Sequence, residues 1–321
     1  MKTIRKKHSG FMGILLGIFY LLLLTLILSC RSVPVAPPII LDESDYIPLE
    51  PGAFVYLFVD LENGRNIIEY LPLNTSNNRQ FQQMIDRTNF AVAAMYHEEE
   101  NRHRMQLAAW GNFPASQARS AFRLSRQWRR QHSEQSGLSY WYARSSGLSI
   151  AVESQQAFIA HSFTENPADP FPPSHGTRVP ESFHEFSRDS ILSCWMENPG
   201  LVVNQLLHQM EIPLELPAER ILISLFPLEA DPQDGNAGEQ LYTARIRLQF
   251  SSASLARGLV SIFTLGRSFF LFNPDLIEGS SAMLASLLFS NPPVQHDRNL
   301  DIQTDALNSS EIALLFSMFS L

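Results

Sequence analysis

Lysine is almost absent: the chain has three, Lys2, Lys6 and Lys7, and every cationic side chain after residue 30 is arginine or histidine. Cysteine is equally scarce, with only Cys30 and Cys194, so no disulfide framework holds the fold together. Positive charge is short overall. The net charge is −8, and setting aside Lys2, Arg5, Lys6 and Lys7 leaves near −12 for the remainder, which excludes bulk electrostatic binding to nucleic acid. The familiar catalytic loops are missing too: there is no G-x-S-x-G elbow, no phosphate-cradling loop ending in Gly-Lys and no dinucleotide fingerprint. "HEEENRH" (His97 to His103) spaces its histidines six apart, where a zinc-binding helix needs four, so it reads as a charged hairpin loop. No catalytic residue, metal ligand or cofactor is assigned.

What is present begins at the N-terminus. "MKTIRKK" supplies a basic n-region, and Phe11 to Leu28 runs without a charge. That run of 18 residues sits at the lower limit for spanning about 30 Å of hydrocarbon. The basic n-region stays cytoplasmic, so everything after residue 30 faces away from the cytoplasm whether the run is cut or kept. It ends "LTLILSC", with Ile27, Leu28 and Ser29 at −3, −2 and −1 to Cys30. This resembles the lipobox of bacterial lipoproteins, and the larger residue at −2 resembles the looser spirochaete form. The resemblance implies a diacylglyceryl group on Cys30, cleavage before it, and a body held to the cell envelope by lipid, periplasmic or surface-exposed. The alternative is an uncut signal anchor.

"RSVPVAPPIILDESDYIPLEPG" follows, and its prolines fix backbone torsions and deny it a helix. It reads as a semi-rigid tether over 30–52, after a signal segment over 1–29.

The rest shows an internal duplication. "FVYLFVDLENGRNIIEYL" and "DSILSCWMENPGLVVNQLL" share an apolar strand, a Glu-Asn pair and a short helix, with the pairs at Glu62-Asn63 and Glu197-Asn198, 135 residues apart. Two strand-like runs follow in each half, then "FPASQARSAF" and "FSSASLARGLV", with Ala118-Arg119 and Ala256-Arg257 set 138 apart. The expected architecture is α+β: a duplicated strand-helix-strand-strand-helix unit, largely antiparallel, with helices on one face. The repeats are placed at 53–165 and 183–321, around a Pro-rich linker at 166–182. Asn308 and Glu311 have capping-box spacing for a terminal helix.

Four residues form the main candidate site. Arg119, Arg123, Arg126 and Arg130 fall at i, i+4, i+7 and i+11, a basic stripe on one helix face suited to anionic head groups or an acidic envelope polymer. "YWYARS" (Tyr140 to Ser145) reads as core. Cys194, among Ile191, Leu192, Trp195 and Met196, reads as a buried strand thiol. Leu255, Leu259, Ile262, Phe263, Phe269 and Phe270 share one helix face, which covers a sheet, walls a lipid-sized cavity or touches membrane. The leading expectation is a lipid-anchored, non-enzymatic envelope lipoprotein that binds or scaffolds; the alternative is a carrier of lipid or another apolar ligand.

Overall fold

The computed structural model describes residues 46–70, 85–97, 103–134, 136–161, 176–200, 204, 215, 217–228, 240–272, 286–287 and 289–313. Cys30 with its preceding apolar run, the greater part of the Pro-rich linker, the 98–102 hairpin tip and the expected helix after Asn198 lie outside them. The described chain forms an α+β fold whose strand pairs are all antiparallel, as the alternating runs predicted. It divides into two compact units, with the boundary near residue 181.

In the first unit β1 (Tyr46–Ile47) pairs with β9 (Thr177–Arg178). The larger sheet orders β2 (Val55–Asp60), β3 (Thr88–His97), β4 (His103–Gly111), β8 (Gln156–His161), β7 (Leu148–Val152), β6 (Ser139–Ala143) and β5 (Arg129–His132). A tight turn makes β7 and β8 a hairpin: the Glu153 amide donates to the Gln156 carbonyl at 2.8 Å.

Register separates the two faces of this sheet. One row runs Leu57, Ala93, Leu107, Ile159, Ile150, Trp141 and Arg130, and the other Tyr56, Ala94, Gln106, Ala160, Ser149, Tyr142 and Arg129. Helix α1 (Ala115–Leu124) covers the first row by burying Ala118 and Phe122 in a core with Trp128, Trp141, Ile150 and Ile159.

The second row carries a buried polar cluster. Tyr96 donates its one proton to the Glu50 carbonyl at 2.6 Å and lies 2.9 Å from Gln106 Oε1, the Glu50 amide donates to the same Oε1 at 2.9 Å, and Arg104 pairs with the Glu50 carboxylate. These bonds pin the strap before β2, where Ile47 and Leu49 are buried. The tether expected to reach residue 52 therefore gives way to folded chain by Tyr46, because apolar side chains flank Pro48 and find a core.

The second unit orders β10 (Leu192–Glu197), β11 (Ala218–Pro227), β12 (Tyr242–Phe250), β14 (Asn299–Gln303) and β13 (Val294–His296). Helix α2 (Glu181–Ser187) places Phe183 against Trp195 with ring centroids 6.0 Å apart, and Arg247 lies over Phe186 while pairing with Asp301 at 2.6 Å. Helix α3 (Ala253–Phe272) runs against β12, β13 and β14. Each unit thus carries three consecutive antiparallel strands followed by a helix, β2–β3–β4–α1 and β10–β11–β12–α3, in the order read from the duplicated segments. The terminal helix opens with the expected capping box: Asn308 Oδ1 accepts from the Glu311 amide at 3.0 Å, and Glu311 Oε2 accepts from the Asn308 amide at 2.8 Å.

Candidate functional site

Two exposed features stand out, one in each unit. The first is the outward side of α3. The sequence puts Leu255, Leu259, Ile262 and Phe263 on a single apolar face, and the sheet splits that face. Ala256 and Leu259 turn inward and are buried, and Phe263 meets Phe289 edge-on at 5.7 Å. Leu255 stays 40% exposed, Ile262 47%, Leu265 70% and Phe272 84%. These four fall within about a third of the helix circumference at 3.6 residues per turn, so they make one continuous stripe. Phe269 and Phe270 have side chains outside the described residues.

The polar neighbours of the stripe are muted. Ser261 donates to the Arg257 carbonyl at 3.2 Å, Thr264 to that of Val260 at 2.7 Å and Ser268 to that of Thr264 at 2.9 Å, so each hydroxyl is satisfied inside the helix and needs no water. No charged residue lies between Arg257 and Arg267. Arg267 bends away from solvent, donating to the Phe289 carbonyl at 2.9 Å and that of Ser290 at 3.3 Å. These intrahelical bonds lower the desolvation cost at the rim of the apolar strip. Among the described residues no helix is long and apolar enough to cross a membrane.

The second feature corrects the arginine stripe. Helix α1 stops at Leu124: Ser125 turns to extended backbone with φ −91° and ψ 126°. Phe122 packs on Trp128 at 4.9 Å and on Trp141 at 5.6 Å, which turns the chain back into β5 against β6. The four arginines do not share a helix face. Arg119 is engaged by Glu153 at 2.6 Å and donates to the Val152 carbonyl at 3.1 Å; Arg123 closes the helix, Arg126 lies in the turn and Arg130 on the edge strand. The structure adds Arg129, which the helical spacing passes over.

The remaining candidates fall as structure. Tyr140, Trp141 and Tyr142 are buried in β6. His97 and His103 face each other across the β3–β4 hairpin with ring centroids 5.4 Å apart, and Phe54 stacks on His97 at 4.1 Å. Burial, and then the charge of His97, hold the His103 pKa below its ordinary value. Cys194 is enclosed in β10, and burial pushes its thiol up to about 12, so the nucleophilic thiolate is essentially unpopulated at neutral pH. Its labelling by iodoacetamide at about pH 8 is expected to be at least about a hundredfold slower in the folded chain than in urea, read by peptide mass spectrometry. Equal rates would place the thiol in solvent.

The sequence also passed over the Glu50–Tyr96–Gln106 cluster. Its available signal was Gln106, a lone amide within the apolar run of β4.

An antiparallel α+β body with an unpartnered apolar helix side and an export-type N-terminus defines a membrane-associated envelope protein. A family model described as Outer membrane-associated lipoprotein TP0453 matches residues 47–224. The chain belongs to that family. It is an envelope lipoprotein whose body lies outside the cytoplasm, and the sequence resemblance to spirochaete lipoproteins holds at family level.

Solved structures of TP0453 share the fold. Crystal form III matches with TM-score 0.53 and 16% identity, covering 85% of this chain and 98% of that one. Crystal form I gives 0.51 and 15% over the same shares, and crystal form IV gives 0.50 and 16%, covering 85% and 97%. No curated protein sequence matches. The family match ends before α3, so the apolar strip is read from this chain's own residues.

Proposed function

We propose that this chain is a non-enzymatic lipoprotein that holds its α+β body against a membrane surface, anchored through an acylated Cys30 after cleavage at Ser29-Cys30. The outward strip of α3 is the part of the body that meets lipid. The carrying observation is that strip: Leu255, Ile262, Leu265 and Phe272 exposed together, beside hydroxyls already bonded within the helix. Burying a leucine or phenylalanine side chain is worth roughly 1.5–3 kcal/mol. A strip of four therefore favours lipid over water even with partial immersion. Two or more acyl chains make the attachment permanent, and the Pro-rich segment from residue 30 gives the body reach from its anchor. The repeats at 53–165 and 183–321, joined through 166–182, are the units that carry the two exposed features.

Two measurements test this. Mass spectrometry of the wild-type N-terminus is expected to find an acylated Cys30, and Cys30→Ala is expected to retain Met1; an uncut, unmodified wild-type terminus overturns the lipid anchor. In the chain reconstituted into vesicles, a nitroxide at Leu265→Cys is expected to collide more often with oxygen than with a water-soluble nickel reagent. The reverse order would place α3 in water and sink the membrane-apposed reading.

A further inference from the structure

Charge is segregated along this acidic chain. Between residues 101 and 152 lie eight arginines against a single carboxylate, Glu134. The fold uses Arg104 and Arg119 in ion pairs and gathers the others of the 119–130 segment at one place in the first unit. Arg123 lies in the last turn of α1, Arg126 sits in the turn that follows, and Arg129 and Arg130 lie on the outermost strand. All four are exposed, and none forms an ion pair among the described residues. Between Arg123 and Arg126 projects Leu124, 86% exposed, more than any other described large apolar side chain.

We propose that this edge docks on the anionic head groups of a bilayer, with Arg123, Arg126, Arg129 and Arg130 meeting the phosphates and Leu124 entering the layer beneath. The inference rests on the membrane-apposed reading and specifies which lipid chemistry the first unit recognises. Three observations carry it. Arg129 and Arg130 pair with Tyr142 and Trp141 and so point to opposite faces of β5, which lets them straddle a surface approached along the strand edge.

The display is rigid. Phe122, Trp128 and Trp141 lock the helix end to the strand, so little backbone freedom remains to be lost on docking, and Arg130 is also held by donating to Ser139 Oγ at 3.2 Å. The exposed leucine among arginines selects between partners. A soluble polyanion has charge but no apolar interior, whereas a bilayer presents charge first and hydrocarbon below it. Arginines on an edge strand also discourage pairing with another strand, a role that needs no lipid and has no head-group dependence.

Hydrogen exchange on the full chain reconstituted into vesicles tests the assignment. With about 30% phosphatidylglycerol in phosphatidylcholine, exchange over residues 123–132 is expected to slow at least about fivefold relative to phosphatidylcholine alone. The difference is expected to vanish when all four arginines are changed (Arg123→Gln, Arg126→Gln, Arg129→Gln, Arg130→Gln), and at about 0.5 M salt, where screening shortens the reach of surface charge. Leu124→Ser, which leaves charge untouched, is expected to weaken it about threefold or more. All five positions are exposed, so both variants are expected to keep the wild-type urea midpoint.

Equal exchange in the two vesicle types, or undiminished protection in the four-arginine variant, overturns the docking. Protection by soluble polyglutamate but not by phosphatidylglycerol assigns the edge to a polymer and overturns it as well. The nitroxide at Leu265 separates the two claims: lipid contact there with an unprotected 123–132 segment refutes this inference alone, and water contact there refutes the reading of α3.

Discussion

Phe122→Ala is expected to destabilise the first unit by about 4 kcal/mol. Phe122 is 1% exposed and joins Trp128 to Trp141, so truncation opens a cavity between α1 and the sheet and removes two aromatic contacts at once. Neither indole can close the gap easily, since Trp141 is fixed by ladder pairing to Arg130 and Ile150. The check is urea unfolding followed by tryptophan fluorescence, which Trp128 and Trp141 report at the lesion itself. Phe122→Leu, which refills most of the volume, is expected to cost under about 1.5 kcal/mol. A loss below about 1 kcal/mol for the alanine variant would show that the helix end is not held by this cluster. The functional consequence follows from position: with Phe122 gone, the turn bearing Arg126 and the strand bearing Arg129 and Arg130 lose their common support.

Gly111→Ala is expected to cost on the order of 3 kcal/mol, large for a single added methyl group. A Cβ there would stand 1.9 Å from the Arg87 carbonyl oxygen and 2.9 Å from the Thr88 Cα, both backbone atoms that no rotamer change can move. The approach is close because the Asn112 amide donates to the same Arg87 carbonyl at 2.8 Å, beside the register shift between Thr88 and Phe90. Relief would break that bond or displace the end of the β3–β4 pair. Gly258→Ala is the matched control. Gly258 lies in α3 with nothing within 4 Å of the added carbon, and the gain in helix propensity is expected to stabilise by about 1 kcal/mol. Opposite signs in thermal or urea unfolding would separate steric exclusion from backbone freedom; equal signs would refute the steric account.

Much of the fold was legible because local chemistry and tertiary structure agreed. The Asn308/Glu311 capping box formed as spaced, since a capping box depends on four consecutive residues and nothing distant. Cys194 and the Tyr140–Tyr142 run were legible as core because apolar neighbours at strand spacing leave few other solutions. Among the described residues, three strands and a following helix repeated in the two units as the Glu-Asn and Ala-Arg anchors suggested. What failed were inferences that extended a local period past the point where a distant partner intervened. Residues 119–130 carry helical spacing and arginine is a good helix former, yet pairing of 129–132 with 139–142 and the packing of Trp128 on Phe122 end the helix at Leu124. The tether was read seven residues too long, over 46–52, because prolines mask the burial of Ile47 and Leu49, and the strand that holds Ile47 pairs with β9 more than a hundred residues away.

The sequence by itself determined the address and the order of parts. A basic n-region followed by an uncharged run specifies export through short-range chemistry, and alternating apolar runs specify antiparallel strands. Only the tertiary structure decided which surfaces remain available. Periodicity shows that α3 has an apolar arc, but the sheet beside it takes Ala256 and Leu259 and leaves Ile262, Leu265 and Phe272 uncovered. Arginine spacing shows a basic segment, but Glu153 occupies Arg119 and the Phe122–Trp128 contact regroups the others around Leu124. The physical reason is the same in both cases: a residue's availability is what remains after long-range packing and pairing have been satisfied, and those partners are fixed only when distant segments meet.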